Sequence, residues 1–219
     1  MNILDFAGEV VFLSASGVLS PGPLFLANLI CGTKQGYRAG LKTATGHAII
    51  EFPLVIILTI SFSQLANTST DPHNLNLLGV FGGISIIIFS IIQITNTTRR
   101  KAQKNLSNSG DHRFSSIADK PLLLGMVFTA LNPFFIAWWL TIGLKLVSDS
   151  IPLFGVTTGG FLLFSFHIWM DYVWLAGTAY LAKTGMKVAG LKWYRALTAA
   201  FGVVIVYFGA SFIINSIVV

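Results

Sequence analysis

The sequence predicts an all-α integral membrane protein: six transmembrane helices forming a three-plus-three inverted-topology repeat, with helices 1 and 4 broken. Three observations predict it. Hydrophobic residues make up 54% of the 219 and charged residues only 10%, against about 25% charged in soluble domains. Six apolar runs, at 9–31, 39–66, 75–95, 122–146, 151–183 and 196–218, each hold roughly the 20 residues that cross a bilayer. A proline break followed in the next run by a His-x-x-x-acid pair also occurs twice. Pro21-Gly22-Pro23 precedes His47 and Glu51, and Asn132-Pro133 precedes His167 and Asp171.

The first run carries Pro21-Gly22-Pro23, which deletes two backbone donors around the most flexible residue, so a helix there must kink or unwind. Unwound backbone at membrane depth is tolerated only inside protein or beside a watery cavity. Ser16, Ser20 and Asn28 are placed to satisfy the freed groups or to meet a substrate. Asp5 and Glu9 occupy what would be the basic region of a signal peptide, so the first run is expected to be retained. Cys31 is the single cysteine, which excludes an internal disulfide and a cysteine-based zinc or redox centre.

The second run holds Thr45-Gly46-His47-x-x-x-Glu51 and the fifth holds Ser165-Phe166-His167-x-x-x-Asp171. A spacing of four puts histidine and acid on one helix face. Glu51 lies nine residues after Lys42 and Asp171 twelve before Lys183, about 13 and 18 Å along a helix. Both acids are therefore expected near the middle of a hydrocarbon layer about 30 Å thick. The fourth run has Asn132-Pro133, with Thr129 one turn before it. Aligning Pro23 with Pro133 sets Ala27 opposite Ala137. The third run carries Gly79-x-x-x-Gly83 and the fifth Gly155-x-x-x-Gly159, spacings that allow close helix contact. The tryptophans Trp138, Trp139, Trp169 and Trp174 gather in the second half and read as packing residues.

Residues 96–120 are polar and include a linker-like stretch, so the chain divides into a first repeat at 1–98, a linker at 99–120 and a second repeat at 121–219. Three spans per half is an odd number, so the halves cross in opposite directions, as in inverted-repeat transporters. Thirteen of the 14 lysines and arginines fall between alternate runs, and only Lys145 lies opposite. By the positive-inside rule, loops 32–40, 96–120 and 183–196 are cytoplasmic and both termini lie outside, in the cell membrane. That distribution accounts for the formal charge of +6 without a nucleic-acid partner.

Ionisable groups in hydrocarbon cost roughly 2.5–3.5 kcal/mol each on insertion scales and mark functional sites. Glu51 and Asp171 are expected to bind a coupling ion, H+ or Na+, or the ammonium of a substrate, with His47 and His167 accepting protons or steadying the carboxylates. The backbone at Pro21, Gly22, Pro23, Asn132 and Pro133, with Asn28, is expected to meet the substrate. Two histidines and two carboxylates also suit a divalent transition metal, so a cation transporter is the alternative reading. No nucleophile arrangement and no His-Glu-x-x-His spacing is present, so neither an enzyme nor a cofactor is expected.

Ser20-Pro21-Gly22-Pro23, the turn Gly32-Thr33-Lys34-Gln35-Gly36-Tyr37-Arg38-Ala39-Gly40-Leu41, Gly46, the acid at Glu51 and Leu131-Asn132-Pro133 together resemble the LysE/RhtB family of amino-acid exporters. The resemblance covers essentially the whole chain. It implies an exporter of amino acids or related small metabolites, driven by a proton or sodium gradient through antiport and alternating access, and a homo-oligomer in the bilayer. Export as the direction of transport comes from the resemblance. Related thiol-electron carriers need a cysteine in each repeat, which this chain does not have.

Overall fold

The computed structural model describes residues 2–20, 22–68 and 119–185, with parts of 80–95 and 203–214. Every described element is helical. Helix α1 (Ile3–Val18) opens on a reciprocal cap: Asn2 Oδ1 accepts from the Leu4 and Asp5 amides, and Asp5 accepts from the Asn2 amide. This satisfies donors that a helix start leaves orphaned. The helix stops at Val18, and α2 (Pro23–Gln35) restarts with Pro23 in its first turn after an extended Gly22, as a residue before proline prefers. The two axes are bent by 74°, so the expected break in the first run is present. Pro21 itself lies outside the described residues.

Helix α3 (Tyr37–Thr68) runs 32 residues, about 48 Å. It continues through Pro53, whose missing N–H leaves the carbonyl one turn earlier without its usual donor. After α4 (Pro121–Ala130), the chain breaks at Leu131 and Asn132, then resumes as α5 (Pro133–Trp138). Asn132 caps α5 by accepting from the Phe134 amide at 3.0 Å. A π turn over Trp139–Gly143 joins α5 to α6 (Leu144–Phe154), and α7 (Val156–Lys183) follows Gly155.

The expected spans need two boundary corrections. The run read as 122–146 is divided between α4 and a helical course that continues to Phe154. The run read as 151–183 begins inside α6, and its helix starts at Val156. Gly155, at φ +76°, makes the separation in a backbone region closed to most side chains. Among the described residues, Tyr37–Leu65 and Pro133–Phe154 are long and apolar enough to cross a membrane, with a third span if bent α1–α2 is counted as one. Most of 75–95, the linker 99–120 and 196–218 fall outside the described residues. Where the third and sixth runs are described, a Cβ on Gly83 would lie 2.7 Å from the Gly209 carbonyl, so the two helices touch.

Helices α3 and α7 form the centre. Gly40 lies against Leu175, His47 against Asp171, Glu51 against His167 and Thr59 against Gly160. The numbers rise on one helix as they fall on the other, so the two run antiparallel. Helix α4 presses on α3 with backbone against backbone. A Cβ at Gly46 would sit 2.1 Å from the Leu122 carbonyl oxygen, and one at Gly125 would sit 2.2 Å from that of Thr43. Only glycine permits both approaches.

Lys34 pairs with Asp119 at 3.1 Å, and Lys183 covers Gly36, so the α2–α3 turn, the approach to α4 and the end of α7 lie together. Elsewhere Glu9 on α1 meets Lys145 on α6, which also pairs with Asp149 at 2.7 Å. A core of Phe6, Val10, Leu13, Val55, Trp139 and Leu146 with their neighbours fills the space between α1, α3 and α6.

Candidate functional site

The two helix-face pairs expected from the sequence are present, and the antiparallel crossing brings them together. Within α3, His47 Nε2 is 3.3 Å from Glu51 Oε1; within α7, His167 Nε2 is 3.3 Å from Asp171 Oδ2. Across the crossing, His167 Nε2 is 3.0 Å from Glu51 Oε1, and His47 Nε2 is 3.7 Å from Asp171 Oδ1. All four residues are buried, Glu51 completely. Each histidine therefore faces both acids, one from its own half and one from the other. One ligand atom from each lies within 4.8 Å of every other, so the same four can hold a metal ion.

The second ring nitrogens are anchored crosswise. His47 Nδ1 is 2.8 Å from Thr129 Oγ1 on α4, and His167 Nδ1 is 2.7 Å from Ser14 Oγ on α1. Each hydroxyl belongs to the helix that precedes a proline break, in the half opposite to the histidine it holds. Thr129 donates its own proton to the Gly125 carbonyl at 2.6 Å, so it accepts from His47 Nδ1. That hydrogen-bond pattern assigns the tautomer: Nδ1 carries a proton, and Nε2 points at the carboxylates. An ionised carboxylate accepts only, so the Nε2 contacts are attractive when a proton lies between nitrogen and oxygen. Buried charge is tolerated when so compensated.

Aromatic rings enclose the cluster. Trp139 Nε1–H donates to Glu51 Oε1 at 3.0 Å. The centroids of Trp138 and Trp139 lie 5.3 Å from that of His167, and Phe135 and His47 lie at the same distance with their planes at 71°. Trp138 Nε1–H donates to Ser16 Oγ, which donates onward to the Leu13 carbonyl. These indoles read as packing residues from sequence, yet Trp139 is a direct partner of Glu51. The π turn it opens is an irregularity often found at functional sites. Ser14 was not singled out either; its only signal is a hydroxyl in an apolar helix, Ser14-Ala15-Ser16.

The proline breaks also approach each other. A Cβ on Gly22 would lie 3.5 Å from Asn132 Nδ2, so the start of α2 and the cap of α5 are neighbours. Thr129 and Phe135, on either side of Asn132-Pro133, both touch His47. Asn28 lies apart from the four: its Nδ2 donates to the Leu175 carbonyl at 2.9 Å and to Thr178 Oγ1 at 3.1 Å, on the stretch of α7 after Asp171. Its Oδ1 is buried without a hydrogen-bond partner, as are Glu51 Oε2 and Asp171 Oδ2. Trp169, between His167 and Asp171 in sequence, faces away and lines an open apolar groove of about 310 Å³ with Val18, Leu19 and Trp174.

With this geometry established, a family model described as LysE type translocator matches residues 15–216. That span includes the quartet and both proline breaks, and Ser14 lies one residue before it. No curated protein and no solved structure matches the chain.

Proposed function

The chain belongs to the LysE type translocator family, membrane proteins that move amino acids or related compounds, and from that premise we propose that it is a proton-coupled exporter working by alternating access. The observation that carries the proposal is the crossed quartet of His47, Glu51, His167 and Asp171, shared by α3 and α7. A coupled carrier needs a group that holds its ion in one arrangement and releases it in another. Protons bridging imidazole and carboxylate are held while α3 and α7 stay in register. Sliding one helix past the other opens the pairs to water and frees them. The four side chains face one another within a buried space, which suits the quartet to coupling.

The solute then belongs at the paired breaks. Gly22 and Asn132 bring the starts of α2 and α5 side by side; the start of α2 has no side-chain cap, which favours a carboxylate there, and Pro21, Pro23 and Pro133 are read as the breaks that expose this backbone. Asn28, with its unpartnered oxygen, is suited to accept from an ammonium group. In this reading the six spans form two inverted repeats, 1–98 and 121–219, in the cytoplasmic membrane. The end bearing Lys34, Asp119 and Lys183 faces the cytoplasm, and both termini lie outside.

Purified protein in proteoliposomes, loaded with a panel of amino acids, tests the proposal. An imposed pH gradient should drive movement of one solute class by the wild type. Glu51→Gln and Asp171→Asn should lose that gradient-driven movement while retaining solute exchange and fold. Gradient-driven movement at wild-type rates in both variants would remove the quartet from the mechanism.

A further inference from the structure

The quartet has the donor set and the spacing of a transition-metal site. Ions of the zinc class take imidazole nitrogen and carboxylate oxygen, usually in a tetrahedron, whereas calcium and magnesium need six or more oxygens. With bonds of about 2.0–2.1 Å, tetrahedral ligands stand roughly 3.3 Å apart. The imidazole–carboxylate separations are 3.3 and 3.0 Å to Glu51 Oε1, and 3.7 and 3.3 Å to Asp171 Oδ1 and Oδ2 in turn, all near that value. The two remaining pairs are within 4.8 Å, and modest side-chain rotation closes them.

Two further observations point to an ion. Both Nδ1 atoms are tied to hydroxyls, Thr129 and Ser14, which turns both Nε2 atoms inward, and at His47, where Thr129 accepts from Nδ1–H, the inward nitrogen carries the lone pair. Metal-binding histidines are oriented in this way by an outer layer of partners. In addition, Glu51 Oε2 and Asp171 Oδ2 are buried without hydrogen-bond partners. Such atoms are costly to leave unsatisfied, and a cation that each acid grips with both oxygens would satisfy them. Two ionised carboxylates with two neutral imidazoles carry the charge that a divalent ion neutralises.

We propose that His47, Glu51, His167 and Asp171 bind one divalent ion of the zinc class, and that the bound ion ties α3 to α7 and arrests solute exchange. The first clause stands on the geometry alone; the second rests on the proposed function. An ion bonded to both helices removes the sliding freedom that alternating access requires, so saturating metal acts as an inhibitor.

The test uses the full chain without a histidine tag, in detergent, with Co2+ as a spectroscopic probe. One Co2+ per chain should bind with the visible absorption of a tetrahedral site, and Zn2+ but not Mg2+ or Ca2+ should displace it. His167→Gln and Asp171→Asn should weaken binding at least 100-fold. Ser14→Ala keeps all four ligands and should weaken binding about 10–100-fold, the range for losing an outer partner; Gly177→Ala should leave it unchanged. Absence of the band in folded wild type at millimolar Co2+, or equal affinity in all variants, overturns the site. In proteoliposomes, Zn2+ should halt solute exchange by wild type at a concentration that spares Ser14→Ala. Exchange that continues at saturating Zn2+, or Zn2+ entering the vesicles as cargo, overturns the arrest. Binding intact with no solute moved under any condition would instead sink the exporter reading and leave the metal site standing.

Discussion

Adding one methyl group at Gly46 tests how packing positions the site. A Cβ there meets backbone on α4, the Leu122 carbonyl oxygen at 2.1 Å and the Met126 amide nitrogen at 2.9 Å, and backbone cannot rotate aside. To restore ordinary contact at 3.4 Å, α4 must retreat by about 1.3 Å. Thr129 is on that helix, and His47 is the residue next to Gly46. The 2.8 Å Thr129–His47 bond would stretch to about 4 Å, past any hydrogen bond. Overpacking costs about 1–3 kcal/mol and the lost bond about 1 kcal/mol, against about 1 kcal/mol gained from better helix propensity. Gly46→Ala should thus destabilise by about 1–3 kcal/mol, lowering Tm by roughly 2–12 °C for a chain of this size. Gly177, in α7, has nothing within 4 Å of its added Cβ. Gly177→Ala should therefore be neutral or stabilising by up to about 1 kcal/mol. Thermal unfolding of both variants in one detergent measures the difference. A Gly46→Ala protein that melts at or above wild type would refute the close α3–α4 approach, and with it the account of how His47 is aimed.

Two other substitutions probe the polar contacts. Trp139→Phe keeps a ring but removes the donor to Glu51 Oε1, which should cost about 1.5–3 kcal/mol for a charged acceptor beyond the lost ring volume. In a Glu51→Gln background that bond's share should fall to about 1 kcal/mol, and a double-mutant cycle of unfolding free energies reads the difference. Lys145→Met strands Glu9 and Asp149 near each other without their cation, at a cost of about 2–4 kcal/mol. Adding Glu9→Gln should recover about half of the loss, as expected when a partly buried pair is removed together. Equal stability of the single and double variants would show that Glu9 is not held by Lys145.

The helix-face pairs were legible in the sequence because a spacing of four is a local property. The proline breaks were legible for the same reason, since proline acts on its own helix. The crossed partners were not. Which hydroxyl reaches His47 depends on the register of α4 against α3, and that register follows from Gly46 and Gly125 meeting backbone on the other helix. Neither glycine advertises its partner. Trp139 read as packing because an indole in an apolar run has no visible mate until the π turn aims it at Glu51. The start of α7 was misplaced because hydropathy continues across Gly155, whereas the break is a matter of backbone angle.

The crossed anchoring also constrains how the chain is made. His167 follows Glu51 by 116 residues, and Ser14 precedes its partner by 153. At about 5–20 residues per second, α3 waits roughly 6–25 s in or near the insertion machinery before α7 exists to receive its acid. During that interval Glu51 and His47 lack the partners that α4 and α7 bring, Thr129 and His167. A chain interrupted between α3 and α4 would carry a polar pair whose crossed partners never arrive.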